Sequence, residues 1–102
     1  MKKEHWRVGS HRGVDRQVDG RWIEICEIYS GAADSLEQAD KFQRLIAAAP
    51  DLLLVVEQFF ELCDNEVQNR RAWQKLFVRA EKALYKTLPP HPLTEELTGE
   101  RT

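Results

Sequence analysis

The side chains best suited to proton transfer, nucleophilic attack or metal binding are few in this chain of 102 residues. There are three histidines, His5, His11 and His91, and two cysteines, Cys26 and Cys63. His5 and His11 stand six apart in a segment read as strand then loop, which matches no ligand spacing. Their ordinary reading is a surface strand residue and a solvated turn residue. Each cysteine sits in an apolar context, with no CxxC and no Cys/His pair. Both read as reduced core residues, with a single bridge between them as the minor alternative. The carboxylates offer no acid/base pair. Glu24 and Glu27 are expected on opposite faces of one strand by the period-two rule, and Glu57 and Glu61, four apart on a helix, read as an exposed acidic face. No P-loop, GxGxxG, HExxH or GxSxG pattern occurs. The expectation is a protein that is not an enzyme, with no cofactor and no metal.

Two basic sets remain. The first is Lys2, Lys3, Arg7, Arg12, Arg16 and Arg21, interleaved with Trp6, His11 and Trp22. Arginine beside an aromatic ring binds phosphate, stacks a base or anchors a protein interface. Residues 1–31 nevertheless hold six basic and five acidic side chains, so the region is nearly neutral. Trp6, Arg7, His11, Arg12, Arg16, Arg21 and Trp22 form the first candidate binding surface, with His11 and Arg12 on a mobile loop tip, where recognition residues tend to sit. The second set, Arg71, Lys75, Arg79, Lys82 and Lys86, recurs at helical spacing opposite Trp73, Phe77 and Leu84. It suits an acidic partner or nucleic acid; its ordinary reading is the solvated face of an amphipathic helix. It also balances residues 32–63, which carry six acids and two bases.

The elements that must carry these residues divide the chain in three. Residues 1–31 alternate in period two. His5–Val8 and Val14–Val18 read as short strands and Arg21–Tyr29 as a longer one, with Asp19-Gly20 as a type I′ hairpin turn. In the long strand, Trp22, Cys26 and Ile28 share one face with Glu24, and Ile23, Ile25 and Tyr29 share the other with Glu27. Residues 32–88 change to a 3.6-residue period. Ser35 caps a helix bearing Leu36, Ala39, Phe42, Leu45 and Ile46, in a Ser-x-x-Gln box with Gln38. That helix ends near Ala48, and Pro50 opens the next, with Leu52, Val55, Val56, Phe59, Phe60 and Cys63 as its apolar stripe. Continuation to Thr87 would make one rod of about 37 residues, ~55 Å long. A break near Asp64–Asn69 is preferred, followed by a helix over 70–87 with Trp73, Leu76, Phe77, Ala80, Ala83 and Leu84 inward. Residues 89–102 read as a flexible polar tail. The fold class expected is α+β: a small N-terminal antiparallel sheet of two or three strands, then two or three helices, in one domain over 1–88.

Composition narrows the classes. The chain is 42% hydrophobic and 31% charged, ordinary for a globular domain and too apolar for full disorder. Its longest apolar runs, Leu45–Ala49 and Leu52–Val56, fall far short of the ~20 residues of a membrane span. Met1-Lys2-Lys3 is followed by no apolar stretch, so no secretory signal is expected and the location expected is cytoplasmic. A net charge of −2 argues against a dedicated nucleic-acid coat. Apolar groups on both faces of the long strand, and Phe59 beside Phe60, predict a homodimer with Ile23, Ile25, Phe59 or Phe60 at the interface.

Arg44-Leu45-Ile46-Ala47-Ala48-Ala49-Pro50-Asp51-Leu52-Leu53 resembles a segment found in many small accessory proteins of tailed bacteriophages and prophages. There it follows a β-rich stretch and precedes one or two helices, the order expected here. The Ala-Asn pair that usually stands before the motif is absent. Its physical content is a small-residue helix end and a proline-started helix, hence a tight bend. The resemblance implies a phage-encoded protein in the bacterial host that acts by stoichiometric binding. The first expectation is a host protein as partner, in the manner of a defence-system inhibitor. Alternatives are a nucleotide second messenger held by the Arg/Trp-rich sheet, or a nucleic-acid-associated regulator using the basic stripe.

Overall fold

The computed structural model describes residues 3–89. Lys2, His91 and nearly all of the tail lie outside the described residues. Three strands come first: β1 (Trp6–Val8), β2 (Gly13–Val18) and β3 (Arg21–Glu27). They form an antiparallel sheet in the order β1-β2-β3. Asp19 and Gly20 both take positive φ, 50° and 78°, so the expected hairpin turn forms between β2 and β3. A 3-10 turn at Ser30–Ala32 leads to three helices: α1 (Leu36–Ala47), α2 (Ala49–Asp64) and α3 (Arg70–Lys86). The fold is therefore α+β, a three-stranded sheet followed by three helices.

The helix boundaries sit at the local signals. Ser35 Oγ accepts from the Gln38 N–H at 3.0 Å, and the Gln38 side chain reaches back to the Asp34 N–H, one residue earlier than in a strict capping box. Pro50 lies in the first turn of α2. Between α2 and α3 the chain breaks as expected. Asn69 Oδ1 caps α3 by accepting from the Arg71 and Ala72 N–H groups at 2.9 and 3.3 Å.

Side-chain faces depart from the sequence reading in four places. First, β3 carries a bulge at Ile25. Val14 pairs with Cys26 while Asp15 pairs with Glu24, so the alternation slips by one. Ile23 and Cys26 consequently share the inner face with Val14, and Trp22, Glu24 and Glu27 share the outer face with Asp15 and Gly13. The expected grouping of Trp22 with Cys26, and the opposition of Glu24 to Glu27, are both overturned. Second, α1 turns Ala39, Gln43 and Ala47 inward, while Leu36, Phe42 and Leu45 stay exposed. Small side chains let the helix approach β1 and β2 closely. Third, α3 buries Leu76 and Ala83 but leaves Phe77 and Leu84 in solvent, and α2 buries no residue fully. Fourth, Cys63 is exposed and Cys26 only half-buried; both are free thiols. The fully enclosed core is small: Val14, Ala39, Ala47, Ala48, Leu76 and Ala83.

The Ala-Ala-Ala-Pro corner is the joint of the fold. Ala47 and Ala48 are fully buried. On either side of them, Arg44 Nε donates to the Thr87 carbonyl at 3.1 Å and Asp51 pairs with Lys86 at 2.8 Å. The bend between α1 and α2 is thus clamped to the end of α3.

Candidate functional site

The first candidate surface does not come together as one patch. Register places Trp6 and Arg16 on the inner face of the sheet, and Arg7 and Trp22 on the outer face. Arg21 sits beside the β2–β3 turn, paired with Val18. His11 and Arg12 occupy the opposite end of the sheet, in the β1–β2 loop.

Three of the four arginines face carboxylates of their own chain. Arg7 Nε lies 3.3 Å from Asp15 Oδ2, and its guanidinium stacks 4.2 Å from the centre of the Trp22 ring. Arg16 holds Glu4 through two guanidinium nitrogens, Nε to Oε1 and Nη2 to Oε2, the latter at 3.2 Å, and Trp6 Nε1 donates to the same carboxylate at 3.2 Å. The Arg16 guanidinium, and after it the Trp6 N–H, hold the Glu4 carboxyl below its ordinary pKa, and Glu4 in turn raises that of Arg16. Arg12 Nε donates to Asp40 Oδ1 at 3.0 Å.

The loop bearing His11 and Arg12 is tied rather than free. Both residues adopt left-handed backbone, φ 53° and 58°, a conformation that persists only where surroundings over-determine it. Gln43 Nε2 donates to the Gly9 and Gly13 carbonyls at 3.1 and 2.7 Å, and Ile28 N–H donates to the Arg12 carbonyl at 3.0 Å. The expected mobile tip is therefore braced by α1 and β3. An open cavity of about 480 Å³ lies beside it, lined by His11, Arg12, Glu27, Ile28, Tyr29 and Ser30.

The second candidate set converges. A groove of about 630 Å³ runs along α3 and the start of α2, and Arg71, Lys75, Arg79, Lys82 and Lys86 all line it. Lys3 adds a sixth cation from the N-terminal segment, which Lys86 holds in place by donating to the Trp6 carbonyl at 2.6 Å. Asp51 is the only carboxylate lining the groove among the described residues, and it is already paired with Lys86. Among the described residues, no carboxylate pairs with Arg71, Lys75, Arg79 or Lys82. Leu54, Val78 and Ala83 supply an apolar floor. Unpaired cations over apolar carbon suit an acidic side-chain cluster or a phosphate.

Sequence reasoning missed Gln43, Asp40 and Asp51, and it placed Lys3 with the first basic set rather than in this groove. Gln43 had a signal: it lies four residues from both Ala39 and Ala47, a polar side chain in the stripe of smallest residues. Such a residue needs an internal partner. Lys3 and Asp51 had none, because their place depends on how the N-terminal segment crosses α2. Among the described residues, no group of three His, Cys, Asp or Glu side chains could hold a metal ion, and no helix is long and apolar enough to cross a membrane.

No protein-family model, curated protein or solved structure matches this chain.

Proposed function

We propose that this chain is a non-enzymatic binding protein that takes an acidic protein surface in the groove of α2 and α3. The observation that carries the reading is the convergence of Lys3, Arg71, Lys75, Arg79, Lys82 and Lys86 on one groove in which Asp51, the one carboxylate lining it among the described residues, is already paired. The resemblance of Arg44–Leu53 to phage accessory proteins supports a host protein as the target and inhibition of host defence as the outcome. The cytoplasm of the bacterial host is the location that goes with it.

A protein target is favoured over nucleic acid by the neighbouring side chains. Glu57 and Glu61 line the adjoining hollow on α2, where they would repel a phosphate backbone running across the hairpin. Leu54 and Val78 in the groove give contact area to side chains rather than to phosphates. A nucleotide on the sheet is disfavoured because the Arg7 guanidinium already covers the Trp22 ring and faces Asp15.

The test is capture from host lysate with the wild-type chain and with a Lys75→Glu, Arg79→Glu double variant. A captured protein that is acidic at the contact, released by moderate salt and absent from the variant, is the expected result. Capture unchanged in a folded variant rejects the groove. Salt-sensitive retention of duplex DNA, or a rise in melting temperature with a nucleotide panel, would transfer the assignment to the alternatives.

A further inference from the structure

The other face of the α2–α3 hairpin is apolar and open. On α3, Trp73, Phe77, Ala80 and Leu84 follow one another at helical spacing on the side away from the basic stripe. On α2, Leu52, Val56, Phe59 and Cys63 do the same. The Phe59 and Trp73 rings meet edge to face at 5.9 Å, so the two stripes adjoin as one face. Phe60, 6.0 Å from Phe59, extends it to the outer edge of α2. No charged residue interrupts these positions.

Most of this face is in water. Val56 is 51% exposed, Phe59 47%, Phe60 63%, Phe77 66% and Leu84 59%. These side chains together leave on the order of 600 Å² exposed per chain, at the top of what a monomer ordinarily leaves uncovered. The radius of gyration is 16.1 Å, whereas a compact domain of this length has about 13 Å.

We infer that a second copy of this chain covers the face, the two hairpins packing as an antiparallel four-helix bundle. Joining two such faces removes about 1,200 Å² from water, the lower limit of a stable interface. Val56 and Phe77 stand near the middle of the face, between the Phe59–Trp73 pair by the α2–α3 turn and Leu52 and Leu84 at the far end, so a two-fold axis there presents each copy with the same surface, as an isologous dimer requires. Two helix hairpins bury their apolar stripes fully in this arrangement. The basic groove lies on the opposite side and stays open, so the dimer carries two grooves facing outward. The sheet residues Ile23 and Ile25 are outside this interface.

Sedimentation of the full chain from micromolar to tens of micromolar should give twice the chain mass of 11.9 kDa. Phe77→Ala and Val56→Ala should each weaken the dimer at least about tenfold. Phe77→Glu should give a monomer of unchanged helix content, and Ile23→Glu should leave the dimer intact. A monomeric wild-type chain across that range overturns the inference, because the face would then await another partner or be covered by the chain itself. A dimer whose dissociation constant is unmoved by both alanine variants, or that falls apart with Ile23→Glu alone, also overturns it. Should Phe77→Glu not fold, the alanine variants and the wild-type mass decide.

Discussion

The side-chain amide of Gln43 donates to the main-chain carbonyl of Gly13 at 2.7 Å, joining the middle of α1 to the start of β2 across 30 residues. The same nitrogen also reaches the Gly9 carbonyl at 3.1 Å. Gln43 is the only buried polar side chain among the described residues, so it fixes how the sheet sits on α1. Replacement by leucine keeps the volume but leaves the part-buried Gly9 carbonyl without this donor and the Gly13 carbonyl with the Gly9 N–H at 2.8 Å. Gln43→Leu should lower the unfolding free energy by about 1–3 kcal/mol, read by urea denaturation. A change near zero would mean that the Gly9 N–H suffices for the Gly13 carbonyl and that water reaches the Gly9 carbonyl.

Lys86 should matter twice over. Its ammonium donates to the Trp6 carbonyl and to Asp51, both partly buried. Lys86→Met should destabilise the fold by about 2 kcal/mol and loosen the N-terminal segment that brings Lys3 to the groove. Hydrogen exchange at the Gln17 amide, which donates to the His5 carbonyl at 2.9 Å, is the direct measurement, and Lys82→Met, whose side chain has no such partners among the described residues, is the control.

Asn69 sets the hairpin bend by capping α3. Asn69→Ala should cost about 1 kcal/mol of stability in thermal or chemical unfolding, and Asn69→Asp should retain most of it.

Glu4 gives the fold an acid limb. Its carboxyl titrates below the ordinary value of 4.5 because Arg16 and the Trp6 N–H bind the charged form. A depressed folded-state pKa contributes stability that is present above the unfolded value and is lost as pH falls through the folded one. The Glu4–Arg16 contact should therefore be intact at neutral pH and dissolve below about pH 4.5, with a small effect, since the pair is exposed. The Trp6 indole N–H resonance should move over that range in the wild-type chain. In Glu4→Gln that movement should be absent.

The local punctuation of this protein is legible in its sequence. Ser35, Pro50, Asn69 and Asp19-Gly20 act through dihedral preferences and hydrogen bonds that span four residues or fewer, so the helix limits and the hairpin turn follow from neighbours along the chain. The basic stripe on α3 is likewise a matter of helical period. What faces inward is a different question, because it depends on partners far away in sequence. The bulge at Ile25 reverses the faces of β3, and no local preference announces it. Alanines rather than leucines turn inward on α1, on the face from which Gln43 donates to the Gly9 and Gly13 carbonyls of the distant sheet. Arg7, Arg12 and Arg16 look like a binding surface in one dimension. They meet Asp15, Asp40 and Glu4 only once strands and helix are assembled, whereas Arg71, Lys75, Arg79 and Lys82 converge on the α3 groove with no carboxylate partner among the described residues.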